Sequence, residues 1–319
     1  MTAQNSIDTV ASVSVDLDAI DCYWRIHALE GQPPPAARHL VLRRCLPRFA
    51  ELFARAGVRA TFFVVGRDLV DDAEGRALLG ALAAAGHELA SHSFTHPYDL
   101  VRRPRLEIHD EIDRAHDAIA AVTGHAPLGF RAPGYEISAD VIEHLCARSY
   151  RYDSSAFPSP AYYGAKALIM GAMRVLGRPS GSYLGSPRVL GAPTVPYHPA
   201  AGAPYTRGTL PIVELPITVT PRLRLPVIGT SLIAAPPWLR RSLVAAALGR
   251  GVFNLELHGI DLADAEADEI PAALVARQPD LRRSLAAKTA ALAATLAEVT
   301  AAGVPFARLA EVAANFSEA

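Results

Sequence analysis

The sequence predicts an α/β fold, and two observations support this prediction. Short β-branched or apolar runs alternate with longer segments of helical periodicity along most of the chain. In addition, five groups of polar residues each lie at or just past the end of a short apolar run, where the working residues of α/β barrels lie. At 319 residues, 50% of them hydrophobic, the chain can form a full core for one large domain or two smaller ones.

The first half of the chain shows the alternation most clearly. Strands are predicted over residues 10–17, 60–65, 87–91, 128–131 and 150–152. Helices are predicted over residues 37–56, 73–85, 104–123 and 138–148. Gly57 and Gly86 follow two of these helices as C-terminal stops, and Ser138 is the expected N-cap of another. Trp24 is expected in the loop after the first strand.

The rhythm breaks between about residues 156 and 238, where Pro, Gly, Ser and Tyr are crowded together. A long irregular segment of this kind is either a functional loop or a disordered linker, and its aromatic content favours an ordered segment. Residues 162–176 have apolar side chains near helical spacing and predict an apolar lid or wall over the site. The alternative is that they cover the side of the barrel or form a dimer interface.

The last third resumes regular structure. Strands are predicted over residues 210–219 and 252–257, and helices over residues 238–249 and 281–302. A final segment over residues 306–316 is expected to cap the fold.

Charge and cysteine content narrow the possible partners. The formal net charge is -1, which argues against non-specific binding to nucleic acid. The odd number of widely spaced cysteines, Cys22, Cys45 and Cys146, fits reduced thiols in a cytoplasm. No basic and apolar leader begins the sequence, and no apolar stretch reaches about 18 to 20 residues. We therefore expect a cytoplasmic protein with no transmembrane segment, with peripheral membrane contact and a homo-oligomer left open.

The stretch GHELASHSFTH places His92 and His96 four residues apart, so both imidazoles can reach one metal ion. Asp16 and Asp18 lie two apart at the end of the first strand and can flank the same ion. One carboxylate and two imidazoles leave open positions on a divalent metal, as a catalytic site requires. The same ligand set also describes iron(II) oxygenases, so the ligands do not fix the reaction.

The remaining motifs favour hydrolysis of an amide. This reaction needs a base for water, a donor to the oxyanion and an acid for the leaving amine. Asp16 and His258 can supply the base and the acid, and a backbone N–H in the 133–135 turn can supply the donor. Arg131 and Asp153 follow other apolar runs.

The motifs SVDLD, SHSFTH, RAPGY, YRYDSS and LELHG occur in this order, and together they resemble the polysaccharide deacetylase family. These are NodB-like, carbohydrate-esterase type, metal-dependent amidohydrolases, and the resemblance covers roughly residues 13–261. It implies a single irregular (β/α) barrel over residues 1–319, with residues 156–238 as a long inserted, loop-rich segment. That insertion would be a substrate-side lid or an interface arm.

The resemblance also implies roles for individual residues. Asp18, His92 and His96 would hold a divalent metal, commonly zinc, and Asp16 would be the general base. Arg131 would orient Asp16 and lower its pKa. His258 would be the general acid, kept protonated by Asp153. The N–H of Gly134 or Tyr135 would polarise the substrate carbonyl, and Trp24 could stack on a sugar face.

The expected activity is metal-dependent N-deacetylation of an acetamido sugar on a small, lipid-linked or specialised glycan. Leu17 separates the two acidic residues of the first motif, as in the branch that includes cyclic-amide hydrolases and lipid-linked sugar deformylases. A deformylase or cyclic-amide hydrolase of the same chemistry is therefore one alternative. A catalytically silent module that binds metal or glycan is the other.

Overall fold

The structure is a computed structural model that describes residues 9–249 and 251–317. The strands are β1 (Val10–Asp16), β2 (Thr61–Val64), β3 (Glu88–Ser91), β4 (Gly129–Phe130), β5 (Tyr152–Asp153), β6 (Pro199–Ala200), β7 (Ala203–Arg207), β8 (Val213–Glu214) and β9 (Val252–His258). The helices are α1 (Ile20–Ile26), α2 (Leu46–Ala56), α3 (Gly66–Asp71), α4 (Ala73–Ala84), α5 (Arg105–Thr123), α6 (Ala139–Ala147), α7 (Pro160–Val175), α8 (Gly229–Ala234), α9 (Pro237–Ala247), α10 (Ala272–Val275), α11 (Leu285–Ala301) and α12 (Leu309–Ser317).

Within these residues, seven strands form one sheet in the order β8-β5-β4-β3-β2-β1-β9. All its strand pairs are parallel. A parallel sheet requires crossover connections, and helices supply most of them here. β6 and β7 form a separate antiparallel hairpin. The predicted α/β alternation is confirmed.

The two edges of the sheet approach each other through Asn254 of β9. Its side-chain amide donates to the carbonyl of Leu215, which directly follows β8, at 3.1 Å. The same amide donates to Ser154 Oγ, which follows β5, at 3.0 Å. The backbone N–H of Thr218 in turn donates to the Asn254 carbonyl at 3.2 Å. These bonds curl the sheet into an incomplete barrel.

Opposite faces of the strands have different neighbours, as the two-residue period of a strand requires. In β1, Ala11, Val13 and Val15 are fully buried in the largest apolar cluster, which also includes residues of α2 and α11. Ser14 and Asp16, on the other face, contact Arg131 in the barrel interior. A second apolar cluster joins α12 to residues of β2, β3, β5 and β8. The strands' carboxyl ends carry the polar motifs.

Several element boundaries differ from the prediction. The helix predicted over 37–56 begins with a π-helical turn, Val41–Cys45, before α2. Trp24 lies in the short helix α1 rather than in a loop. The strand predicted over 210–219 shortens to the two residues of β8, because Pro211 and Pro216 on either side have no N–H to donate to a ladder. Among the described residues, no helix is long and apolar enough to cross a bilayer.

Candidate active site

The carboxyl edge of the sheet brings the predicted motifs together. β1 ends at Asp16 and β9 at His258, and these two residues are direct partners in the parallel register. His92 follows the last residue of β3, and Arg131 follows β4. Because the strands are parallel, their ends meet at one mouth.

Asp18, His92 and His96 form a compact group of possible metal ligands. The Nε2 atoms of His92 and His96 each lie 3.2 Å from Asp18 Oδ1. All three side chains are buried, and Asp18 Oδ1 and His96 Nε2 have no hydrogen-bond partner within the described chain. Buried polar atoms are rarely left unpaired, and a cation bound by these nitrogens and oxygens would satisfy them. The residues therefore fit a divalent metal.

The second nitrogen of each imidazole has its own partner. His92 Nδ1 lies 2.7 Å from the Arg131 carbonyl, so it carries the proton and leaves the Nε2 lone pair directed at Asp18. His96 Nδ1 lies 3.4 Å from Cys22 Sγ. Burial acts to raise the pKa of Asp18, but the imidazoles of His96 and His92 outweigh it and hold that pKa well below its usual value. The three side chains therefore offer one carboxylate and two imidazoles to a divalent cation.

Asp16 is held by a fully buried arginine. Arg131 Nη1 donates to Asp16 Oδ1 at 2.6 Å and to Ser14 Oγ at 3.0 Å. The rest of the guanidinium donates to the Ser154 carbonyl and hydroxyl, at 2.7 and 2.8 Å. Burial raises the pKa of Asp16 by more than Arg131 and His92 lower it. The predicted pairing is present, and Arg131 acts to lower the pKa of Asp16 as expected, but burial of the carboxylate outweighs this effect.

His258 is paired with Glu256, not with Asp153. His258 Nδ1 lies 2.8 Å from Glu256 Oε1, because residues two apart on β9 face the same side. Burial disfavours the imidazolium, yet the Glu256 carboxylate outweighs it and raises the pKa of His258 well above its usual value. Asp153 instead accepts from Ser155 Oγ at 2.7 Å and couples to Glu214. The predicted Asp153 partnership is therefore corrected.

The turn Pro133–Tyr135 lies beside His258. Gly134 and Tyr135 have φ angles of 69° and 65°, in the left-handed region that favours glycine. The Tyr135 N–H donates to the Ala132 carbonyl at 3.0 Å, which leaves the Gly134 N–H as the candidate donor to a substrate. The Tyr135 hydroxyl lies 3.0 Å from His258 Nε2 and 3.2 Å from Glu256 Oε1. Tyr135 thus takes part in the site through its hydroxyl group, whereas the motif had indicated only a backbone N–H in this turn.

Trp24 does not reach the site. Its ring packs in the core, and its indole N–H donates to the Glu30 carbonyl at 3.1 Å. The neighbouring Tyr23 lines the cavity instead. The predicted sugar-stacking role of Trp24 is therefore wrong, because α1 turns this side chain inward.

A cavity of about 660 Å³ adjoins the site. Asp16, Asp18, His92 and His258 lie on its wall, as do Tyr98, Gly134 and Tyr135. The opposite wall is one face of α7, which supplies Tyr162, Ala165, Lys166, Ile169, Met170 and Met173. A mostly apolar cavity with a few convergent polar groups is the usual form of a small-molecule site.

Several residues of the site escaped the sequence reasoning. Glu256 had a readable signal, since it lies two residues before His258 on the same strand. Tyr98 and Lys166 had no such signal. The ring of Tyr98 meets the His96 imidazole edge-on, with the ring centroids 4.8 Å apart. Burial lowers the pKa of Lys166 to about 8, with Glu136 opposing the shift.

Comparisons with known proteins agree with the motifs. A family model described as polysaccharide deacetylase matches residues 39–152. The chain is 27% identical over 149 residues to a peptidoglycan deacetylase of Helicobacter pylori, covering 46% of this chain and 50% of that protein. It is 39% identical over 90 residues to a chitooligosaccharide deacetylase of Bradyrhizobium, covering 28% and 39%. The chain thus spans about half the length, or less, of these relatives.

Solved structures share the fold at low identity. A Mycobacterium smegmatis protein assigned to the polysaccharide deacetylases superposes with a TM-score of 0.60 at 20% identity, over 99% of this chain and 92% of that one. A CE4 family pseudoenzyme from Bacillus anthracis gives 0.51 at 13% identity, over 97% and 66%. These comparisons confirm the resemblance to the NodB-like polysaccharide deacetylase family and the predicted irregular (β/α) barrel.

Proposed function

We propose that this chain, which resembles the NodB-like polysaccharide deacetylases, is a metal-dependent hydrolase that removes the acetyl group from an acetamido sugar. One observation carries the proposal. Asp18 and His92 line the same cavity as Asp16 and His258, and His96 Nε2 lies 3.2 Å from Asp18 Oδ1. Arg131 holds Asp16, and Glu256 holds His258. Amide hydrolysis requires a base and an acid beside a polarised carbonyl, and this arrangement supplies both.

Asp18, His92 and His96 would hold the metal, for which we propose zinc. When bound, such a cation polarises a carbonyl oxygen and makes water more acidic. Asp16 accepts the proton of the attacking water through the carboxylate that Arg131 orients. Its raised pKa makes it a stronger base than an exposed carboxylate. His258, protonated because of Glu256, donates a proton to the leaving amine. The Gly134 N–H is our proposed donor to the developing oxyanion.

The cavity supports a small or amphiphilic substrate rather than a long polymer. α7 forms one wall of the cavity, whereas a long polysaccharide needs an open groove. Tyr23, Tyr98 and Tyr162 can cover a sugar ring, and the methionines of α7 can contact an apolar aglycone. We therefore propose a small, lipid-linked or specialised glycan as the substrate. The cytoplasm is our proposed location for the reaction.

Mass spectrometry of acetamido sugars incubated with zinc-loaded protein tests this function. The panel should contain free, glycoside and lipid-linked forms, each also as its N-formyl analogue. We expect loss of one acetyl group, and no reaction with His92→Ala, which loses a metal ligand. Release of formate alone would indicate a deformylase instead. Reaction with cyclic amides alone would indicate a cyclic-amide hydrolase of the same chemistry. No turnover of any acylated compound by a zinc-loaded sample that still binds them would indicate a silent binding module.

Asp16→Asn separates base catalysis from metal binding. We expect turnover to fall by about 10²- to 10⁴-fold, because the amide cannot accept the water proton. Bound zinc, measured by elemental analysis, should stay near the wild-type level. Asp21→Asn is the matched control, since Asp21 is a nearby aspartate that pairs with Arg25 and Arg67 outside the cavity. Full activity in Asp16→Asn would remove Asp16 from the base role.

A further inference from the structure

Helix α7 is apolar around most of its circumference, yet none of its residues is buried. Lys166 and Arg174 are its only charged residues. Leu168 is 75% exposed and Val175 is 88% exposed, and Leu176 at the C-cap is 75% exposed. A helix that is apolar all round is normally buried in a core or a membrane. The outer side of α7 therefore lacks the cover that its composition requires.

The helix presents two apolar stripes. The inner stripe lines the cavity, whereas Leu168 and Val175 lie two turns apart on the other side, with Gly171 between them. Ile169 and Leu176 belong to both surfaces, since they line the cavity and are 60% and 75% exposed. The apolar surface thus runs without a break from the cavity to the outside of the protein.

Both ends of α7 are fastened to the barrel. At the N-terminus, Ser159 Oγ donates to the Arg224 carbonyl at 2.8 Å. After the C-terminus, Ser180 Oγ donates to the Ile26 carbonyl at 2.6 Å, and the Gly181 N–H donates to the Arg25 carbonyl at 3.1 Å. A Cβ at Gly181 would lie 2.7 Å from that carbonyl oxygen, so glycine permits the close approach. The outer stripe is therefore held in place.

The surrounding charge is one-sided. Residues 154–249 contain nine Lys and Arg residues and a single acidic residue, Glu214, which is fully buried. The whole chain, in contrast, has 31 Lys and Arg residues and 32 Asp and Glu residues. Arg174 and Arg222 are exposed and have no carboxylate partner within the described chain. Arg222 adjoins Leu223, which is 72% exposed, in the turn that contacts Ser159.

We propose that Leu168, Ile169, Val175, Leu176 and Leu223 form a docking face for an anionic lipid bilayer. The leucines, isoleucine and valine insert at the level of the headgroups, and Arg174 and Arg222 contact lipid phosphates. A second copy of the chain is the less favoured occupant, because a symmetric contact through this face would bring the same arginines together. Docking here brings Ile169 and Leu176, which also line the cavity, against the membrane, so that a lipid-attached group can pass along apolar surface into the cavity.

Vesicle flotation with the full-length protein tests the docking face and does not depend on catalysis. We compare vesicles of phosphatidylcholine with about 30% phosphatidylglycerol and vesicles of phosphatidylcholine alone. We expect at least about tenfold tighter binding to the anionic vesicles, weakening as salt screens the arginines. The double variant Leu168→Gln, Val175→Gln should bind at least about tenfold more weakly, because it removes inserted apolar surface.

The pair Val70→Gln, Leu106→Gln is the matched control. Val70 on α3 and Leu106 on α5 are 60% and 81% exposed, but they lie outside the docking face. Their replacement should leave vesicle binding within about twofold of wild type. Equal binding of all three proteins, or no binding to either vesicle, would overturn the proposal. So would a lipid-free dimer in sedimentation velocity that Leu168→Gln, Val175→Gln dissociates, since the face would then join two copies.

Activity on a water-soluble acetamido sugar separates this inference from the proposed function. Leu168 and Val175 do not line the cavity, so their replacement should leave that activity unchanged. A protein that binds vesicles but hydrolyses nothing would refute the proposed function and leave the docking face intact.

Discussion

His258 depends on Glu256 for its protonated state, and the pH dependence of the rate can show it. The Glu256 carboxylate raises the pKa of His258 against the opposing effect of burial. Glu256→Gln removes this charge, so His258 loses its proton at lower pH. We expect the alkaline limb of kcat/KM to move down by about one pH unit or more. The measurement is kcat/KM from pH 5 to 10 on any hydrolysed substrate.

Asp153→Asn is the matched control for that experiment. Asp153 is a fully buried carboxylate at the end of β5, and its contacts are Ser155 and Glu214. Its replacement should leave the alkaline limb in place. A shift in Asp153→Asn and none in Glu256→Gln would restore the partnership that the sequence suggested.

The motifs located the polar groups, but they did not define which side chains touch. Glu256 could have been chosen over Asp153, because alternate residues of one strand always share a face. The inward rotation of Trp24 had no such signal, since it follows from α1, a seven-residue helix without a capping side chain. Contacts across the barrel, such as Asn254 of β9 with Ser154 after β5, depend on the curl of the sheet. Local patterns in the sequence do not encode that curl.

Asn254 links the two edges of the sheet, so its replacement should destabilise the whole barrel. Its side-chain amide donates to Ser154 Oγ and to the carbonyls of Leu215 and Pro216. Asn254→Ala removes these three buried hydrogen bonds, which costs about 2 to 3 kcal/mol in the free energy of unfolding. Urea denaturation followed by circular dichroism measures this change.

Asn315→Ala provides the comparison, because Asn315 is an exposed residue of α12. Alanine is favourable in a helix, so this variant should match or slightly exceed the wild type in stability. Equal stability of Asn254→Ala and Asn315→Ala would show that the link between the two edges of the sheet does not need the Asn254 amide.

Element type was more predictable than element length. Helices α4, α5 and α6 lie within one or two residues of their predicted ends, because Gly86, Gly124 and Ser138 mark their boundaries. The predicted strand over 210–219 failed because apolar periodicity gives no weight to the N–H groups that Pro211 and Pro216 lack. Whether residues 156–238 act as an insertion remains a prediction, although β8 within them joins the main sheet.

Charge is distributed unevenly along the chain, and the net charge of the whole molecule does not show this. A value of -1 argued against non-specific binding to nucleic acid, whereas peripheral membrane contact was left open. The same total contains a segment, residues 154–249, with nine basic residues and one acidic residue. The fold concentrates the exposed apolar side chains in this segment, including Leu168, Val175 and Trp238. Charge counted along the chain therefore gives information about a membrane surface that the net charge does not.

Metal binding should stabilise the fold as a whole, because it joins Asp18, which follows β1, to His92 and His96, which follow β3. At zinc concentrations about 100-fold above the dissociation constant, binding to the folded state contributes about 2.7 kcal/mol. For a domain of this size we expect the melting temperature to rise by about 3 to 5 °C, measured by scanning calorimetry. His96→Ala should abolish the rise, since it removes a ligand.

His144→Ala is the matched control for the melting experiment. His144 is also paired with a carboxylate, with Nε2 2.9 Å from Asp113 Oδ1, and its ring stacks on His109. This pair lies on α5 and α6, away from the carboxyl edge of the sheet, so the variant should keep the full zinc response. If His144→Ala lost that response while His96→Ala kept it, the metal would bind at the surface histidines. The buried unpaired atoms Asp18 Oδ1 and His96 Nε2 would then need another explanation, because zinc would no longer satisfy them.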